Sequence, residues 1–289
     1  MLNVVMYAIP AFVLFIVIEA LSFHFSPDDD ERGYDVRDAA TSMTMGAGSQ
    51  VVGFFWKFAT LFVYAAAFEY LAPVNLDVFT NPALTGNIGA TVAVLLLLFF
   101  ADDLAYYWFH RGHHRVRVLW ASHVVHHSSQ YFNFSTALRQ SWTPMTGLPF
   151  WLPLALIGFP PSLIFLQQSI SLTYQFFLHT ERVDRLWRPV EFIMNTPSHH
   201  RVHHGSDDIY LDRNYAGILI IWDRMFGTFE PETAPVTYGL TKNINTHNPI
   251  RVAFGEYAAL WHDVRTAPNW RTAVGHLLRP PGWTEAAGR

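Results

Sequence analysis

Histidine is crowded into two short stretches of this chain. HRGHHRVRVLWASHVVHH, residues 110–127, holds six of the fifteen histidines, and SHHRVHHG, residues 198–205, holds four more. Imidazole costs free energy to bury unpaired and is the commonest metal ligand in proteins. His110 and His114 are four residues apart, so on a helix they share a face. His123, His126 and His127 form an HxxHH motif, and His200, His203 and His204 repeat it. His179 stands alone after a long apolar stretch, which brings the imidazoles able to converge to nine. A zinc ion takes about four protein ligands. Nine nitrogens are too many for one ion and suit two ions with four or five each. Imidazole accepts iron, copper, zinc or nickel, so ligand type leaves the metal open. Cysteine is absent, which removes thiolate metal sites, iron–sulfur clusters, disulfides and a cysteine nucleophile together.

Other residues read as supports for such a site. Asp103 precedes His110 by seven residues, two turns back on the same helical face. A carboxylate there is placed to accept the second ring N–H of a ligating histidine and fix its tautomer. Asp102 reads as a hydrated acid at the membrane boundary, and Glu181 and Asp212 as weaker partners for a ligand. His113 is one residue off the His110–His114 face, so it stands behind the ligands or faces solvent. His199 lies four before His203 and alternates with His200, which is preferred because it completes the HxxHH motif. His24, His247, His262 and His276 are isolated and read as ordinary polar histidines.

The elements that must position these groups are greasy. The chain has 289 residues, 51% hydrophobic and only 15% charged, against about 25% charged in an average soluble domain. Residues 1–18 carry no charge and lack the basic start and small-residue cleavage site of a signal peptide, so they read as a first membrane segment. Residues 51–71 are a second and residues 88–110 a third, the last about 33 Å long as a helix against a bilayer core of about 30 Å. Residues 140–180 contain no Asp, Glu, Lys or Arg. As one helix they would run about 60 Å, so they must fold back, and the proline pair in GFPPS at 158–162 supplies the break. The predicted fold is an all-α integral membrane protein with four to five hydrophobic helices, including this Pro-broken hairpin (145–178), and a helical histidine-rich cap.

Both ends of the hairpin return to the same side, so every clustered histidine reaches one membrane face. Eighteen of the nineteen Lys and Arg residues also fall on that side, the exception being Lys57 inside the second segment. The positive-inside rule then assigns the histidine face to the cytoplasm. SPDDDERGYDVRD, residues 26–38, reads as a solvated loop. NYAGILIIWDRMFGTF packs near the second knot, and Ala253, Phe254, Tyr257, Leu260, Trp261 and Val264 recur at helical spacing, as a helix on the membrane surface or in a core. The last eleven residues read as a loose tail. The chain divides into N-terminal membrane helices (1–87), a catalytic domain (88–241) and a C-terminal interfacial helix and tail (242–289). The formal charge of −4 argues against a nucleic-acid partner.

At DDLAYYWFHRGHH, LWASHVVHHSS and NTPSHHRVHHG the sequence resembles the sterol desaturase / fatty acid hydroxylase superfamily of membrane di-iron enzymes. YFNFSTALRQS, FFLHTE, YLDRNYAGILIIWDRMFGTF and YGLT are most similar to its alkylglycerol monooxygenase branch, over residues 103–241. The resemblance implies two iron ions held by His110, His114, His123, His126, His127, His179, His200, His203 and His204. It also implies O2 and a lipid as substrates, hydroxylation of an unactivated C–H bond, and an external electron donor, tetrahydrobiopterin in the alkylglycerol branch. One position departs from that branch: Arg115 follows the second histidine where the branch carries an acid. Phe132, Phe134 and Trp142 are candidates to line the lipid path. A sterol or fatty-acyl desaturase on the same site is the neighbouring alternative. Metal transport fits less well, because a transporter's ligands belong near the bilayer midplane.

Overall fold

The computed structural model describes residues 4–28, 31–80 and 86–285. The remainder, including Asp29, Asp30 and the last four residues of the expected tail, lie outside the described residues. Among the described residues the fold is α-helical, with no strand and one isolated β-bridge between Gly205 and Tyr238. Helices α1 (Val4–Phe25), α2 (Val36–Tyr70) and α3 (Ile88–Arg115) are long and apolar enough to cross a membrane. Their outward faces are suited to lipid: Phe55 and Phe62 on α2 are 69% and 75% exposed, far from water-compatible unless acyl chains cover them.

Helix α2 begins well before the expected 51–71 segment because Asp35 caps it, accepting from Asp38 N at 2.9 Å. At about 53 Å it outreaches a bilayer core, and its first turns bury Asp38, Thr41, Ser42 and Met45 against the histidine-side cap. Helix α3 runs to Arg115, past the expected end at His110, so His110 and His114 share one helix. After a break at Val116 comes α4 (Arg117–His127), which carries the first HxxHH motif.

The hairpin forms as the sequence requires. Its arms are α5 (Leu148–Ile157) and α6 (Pro161–Phe176), about 15 and 24 Å long, so neither covers the roughly 30 Å of a bilayer core. Gly158 ends α5 in the left-handed region at φ 116° and Pro161 opens α6. A side chain at Gly158 would collide with the Val74 carbonyl, and the Gly158 carbonyl accepts from Leu76 N at 3.0 Å. The hairpin tip is thereby docked on the connection between α2 and α3. Tyr64, Leu98, Trp151, Leu154, Phe159 and Ile164 form the core that joins α2, α3 and the hairpin. A second core joins Phe12 and Ile16 of α1 to Phe134 and Phe176.

The polar segment 26–38 is not simply solvated, contrary to expectation. Asp38 is buried and receives Arg139 Nη1 at 3.1 Å and Ser129 Oγ at 2.6 Å, and Glu31 meets Arg182 Nη1 at 2.6 Å. The Gly33 carbonyl accepts from Asn133 at 2.7 Å. These partners of Glu31, Gly33 and Asp38 lie far along the chain, which no local pattern reveals. The helices after the hairpin are α7 (Arg188–Ile193), α8 (Pro197–His204) with the second HxxHH motif, and α9 (Ile221–Phe226). Then α10 (Pro249–Thr266) and α11 (Trp270–Leu278) close the chain, α10 resting on α4 through Arg117, which meets Glu256 and Asp263 at 2.9 and 2.7 Å. The apolar stripe on α10 divides: Ala253 and Leu260 are buried, while Phe254 and Trp261 face outward.

Candidate metal centre

All nine singled-out histidines are brought together, in two adjoining groups. His110, His114, His123, His127 and His203 form one, and His126, His179, His200 and His204 the other, each with its ring nitrogens within 4.8 Å of one another. Helix α3 contributes two residues, α4 three and α8 three, while His179 comes from the turn after α6. The HxxHH spacing divides a motif between the groups: His123 and His127, four apart, face the first, and His126 faces the second. His200 and His204 likewise face the second and His203 the first. The groups touch where the His127 and His204 rings stack at 4.4 Å.

The donor chemistry fits cations. His110 Nδ1 lies 2.8 Å from the Tyr215 carbonyl, His179 Nδ1 2.8 Å from Gln175 O, and His203 Nδ1 2.9 Å from Arg213 O. A neutral imidazole has one proton, so a ring donating at Nδ1 offers a bare lone pair at Nε2. Yet Nε2 atoms crowd together: His203 and His127 at 3.1 Å, His179 and His126 at 3.1 Å, His179 and His200 at 3.0 Å. Each contact is either an N–H···N hydrogen bond or a place where a cation would take both lone pairs. Nitrogens about 2.1 Å from one ion stand about 3.0 Å apart at right angles and about 3.4 Å apart in a tetrahedron. The observed spacings lie nearer right-angled than tetrahedral ligation. His114 Nε2 and His204 Nε2 are also buried with no hydrogen-bond partner. Burial pushes His123, His126, His127, His200, His203 and His204 well below the usual histidine range, and His179 down to about 4. The rings are thus neutral near pH 7, the form that ligates metal.

The supporting residues divide differently from expectation. Asp103 does not reach a histidine. It is fully buried and accepts from Ile218 N at 2.8 Å, Leu219 N at 3.0 Å and Trp222 Nε1 at 2.9 Å. With Asp223, which accepts from Tyr215 N and Ala216 N, both at 2.8 Å, it clamps the loop whose Tyr215 carbonyl holds His110. Gly217 lets that loop lie against α3, where a Cβ would come within 2.9 Å of the Asp103 carboxylate. A main-chain carbonyl thus takes the role expected of the carboxylate. Asp102 is fully buried rather than hydrated, accepting from Trp151 Nε1 at 2.8 Å. His113 lies outside both groups, bonded to Phe109 O at 2.7 Å and Thr146 Oγ1 at 2.9 Å. His199 also lies outside them, with Nε2 2.9 Å from Glu191. Glu181 accepts from Arg32 N instead of a histidine.

Several contributors carry no signal in the sequence. Glu19, buried in α1, accepts from Thr180 Oγ1, next to His179, and from Phe134 N. Tyr238 stacks on Phe132 at 5.0 Å, and Phe132 covers His204 at 5.0 Å and His179 at 5.5 Å. Trp120 covers His114 at 5.2 Å. Of the other two aromatics expected along a lipid path, Phe134 packs on Phe176, and Trp142 donates to Met45 O at 2.9 Å. Asp212 lies 3.6 Å from His114 Nδ1 and 2.8 Å from Arg115 Nη1. Burial alone would raise the Asp212 carboxyl, but these two neighbours hold it below its usual range. An opening of about 330 Å³ is lined by Arg111, Arg115, Arg213, Tyr215 and Asp212, the last of which neighbours His114.

The stretch that builds this centre is shared with known proteins. Residues 95–228 match the family model for fatty acid hydroxylase, a span that contains all nine histidines. The chain belongs to that family and is related to sterol desaturases. Its homologues are alkylglycerol monooxygenases. It is 41% identical to the one from Homo sapiens over 247 residues, 85% of this chain and 53% of the relative. Identity is 50% to that of Danio rerio over 194 residues, 67% of this chain and 43% of the relative. It is 35% to that of Caenorhabditis elegans over 285 residues, 94% and 53% respectively. The chain thus spans about half the length of these curated relatives. No solved structure matches it.

Proposed function

We propose that this chain is a membrane-embedded, O2-dependent di-iron monooxygenase that hydroxylates a lipid C–H bond. The observation that carries the reading is the division of nine imidazoles, all but His123 buried, into two touching groups. Iron bound at the two groups would supply the reductive activation of O2. The reaction in alkylglycerol form places one oxygen atom on the carbon beside the ether oxygen. The other leaves as water, with two electrons and two protons from an external reductant. The hemiacetal so formed breaks its C–O bond to give an aldehyde and an alcohol.

The chain's own residues prepare this chemistry. Main-chain carbonyls of Tyr215, Gln175 and Arg213 fix the Nδ1–H tautomer of three ligands and aim their Nε2 atoms inward. Phe132, Tyr238 and Trp120 cover the rings and keep bulk water away. A substrate already dissolved in the bilayer reaches the site sideways, between elements rather than through solvent. The opening at Arg115 and Asp212 is the entry for a soluble donor such as tetrahydrobiopterin. The departure at Arg115 is answered in space, because Asp212 pairs with it and sets a carboxylate beside His114. The weight of Lys and Arg on the histidine side supports a cytoplasmic metal site.

The test is to incubate membranes containing the chain with O2, a reductant and a lipid extract and to follow product masses. A gain of one oxygen, or release of fatty aldehyde, is expected, and loss of two hydrogens would mean desaturation instead. His126→Ala should abolish turnover; unchanged turnover in that variant refutes the assignment.

A further inference from the structure

A second cavity, of about 410 Å³ and lined by none of the nine clustered histidines, lies beside α7 and α9, and three arginines line it: Arg185, Arg188 and Arg224. Arg224 donates Nε to Phe192 O and Nη2 to Glu191 O, both at 3.1 Å, and lies 3.6 Å over the Phe229 ring. That fixes its guanidinium as part of the wall and leaves Nη1 for a ligand. Arg185 and Arg188 are exposed and form none of the described ion pairs. The two acids in the lining are already engaged. Glu232 forms a two-pronged pair with Arg201, both bonds 2.7 Å, and Glu191 accepts from Ser198 at 3.0 Å and Leu186 N at 2.8 Å and meets His199 at 2.9 Å. His199, only 3% exposed, also lines the cavity and is engaged through Nε2 with Glu191. The chemistry is that of an anion site with phosphate-sized needs.

Its surroundings say which anion. Trp187, Phe192, Ile193 and Met225 beside the cavity are 74%, 61%, 48% and 67% exposed, a concentration of apolar side chains that water does not favour. The same segment is tied to two of the helices long and apolar enough to cross a membrane, α1 and α3. Arg182 donates to Ser26 O, the residue after α1, at 2.7 Å and lies 4.0 Å over Phe23. Phe226 packs on Trp108 near the end of α3 at 5.1 Å. Arginines over a cavity, with tryptophan and aliphatic side chains beside it on a segment held to two candidate membrane helices, match a phospholipid, phosphate in the cavity and acyl chains along the apolar rim.

We propose that this cavity binds the phosphate headgroup of an anionic phospholipid of the surrounding membrane. Native mass spectrometry of the full chain tests it, with dioleoyl phosphatidylglycerol, dioleoylglycerol and inorganic phosphate as separate probes. The expected result is one phosphatidylglycerol retained per chain and no retained dioleoylglycerol. Retention should fall about tenfold or more in Arg185→Ala/Arg188→Ala, with no change in Arg271→Ala on α11. Both substituted arginines are exposed, so the variant has no buried contact to lose. Equal retention by the double variant, equal retention of dioleoylglycerol, or binding of inorganic phosphate without lipid would each overturn the proposal. The readout is lipid retained rather than turnover, so it stands or falls apart from the oxygenase reading.

Discussion

His110, His179 and His203 each give Nδ1–H to a main-chain carbonyl, and the site's chemistry begins there. The ligand candidates are legible in the sequence because spacings of three and four place histidines on one helical face. Their carbonyl partners are not, since every residue carries a carbonyl and only the fold selects Tyr215, Gln175 and Arg213. His113 and His199 show the same limit: sequence puts them in the knots, but the helical turn carries them to Thr146 and Glu191. The distinction is measurable as metal content. His113→Ala and His199→Ala should each keep the wild-type amount of bound iron, whereas His126→Ala should lose iron. Loss of iron from the first two variants, as large as from the third, would put all eleven histidines in one undivided cluster.

At the scale of elements, the histidine-bearing cap is braced by buried polar contacts that hydropathy does not disclose. The proline break, the hairpin and the three long apolar helices follow from composition and length. The pairing of Asp38 with Arg139 does not, because 101 residues separate them. Nor does the Asp103 clamp, whose partners lie 115 to 119 residues away. Asp103→Asn tests that clamp. An amide can accept only at its oxygen, so its NH2 would face a donor now held by the carboxylate. Disturbance of the Tyr215 carbonyl should weaken metal at the first group about 10- to 100-fold, as loss of an orienting partner does elsewhere. Iron should then fall from two toward one per chain under mild chelation, with the second group still loaded. Equal loss from both groups would show the clamp to be general scaffolding.

For the whole molecule, the question is which way the chain faces. Charge asymmetry makes an orientation legible in the sequence, since a membrane side rich in Arg is a property of composition. The tightening of segment 26–38 against the cap is not legible there, because its charges look solvated until their partners are known. With no cysteine in the chain, a single introduced thiol reports its own side. Arg271→Cys, on α11, should react with a membrane-impermeant maleimide only from the cytoplasmic side, and Val78→Cys, in the connection before α3, only from the opposite side. The reverse pattern would invert the topology and take the metal centre out of the cytoplasm.

The proposed centre is a pair of neighbouring iron ions, one in each of these two histidine groups. Anomalous X-ray scattering at the iron edge, from crystals of the iron-loaded protein, reads it directly. Two peaks a few ångströms apart are expected, one inside His110–His114–His123–His127–His203 and the other inside His126–His179–His200–His204. A single peak, or iron bound elsewhere on the chain, would contradict it.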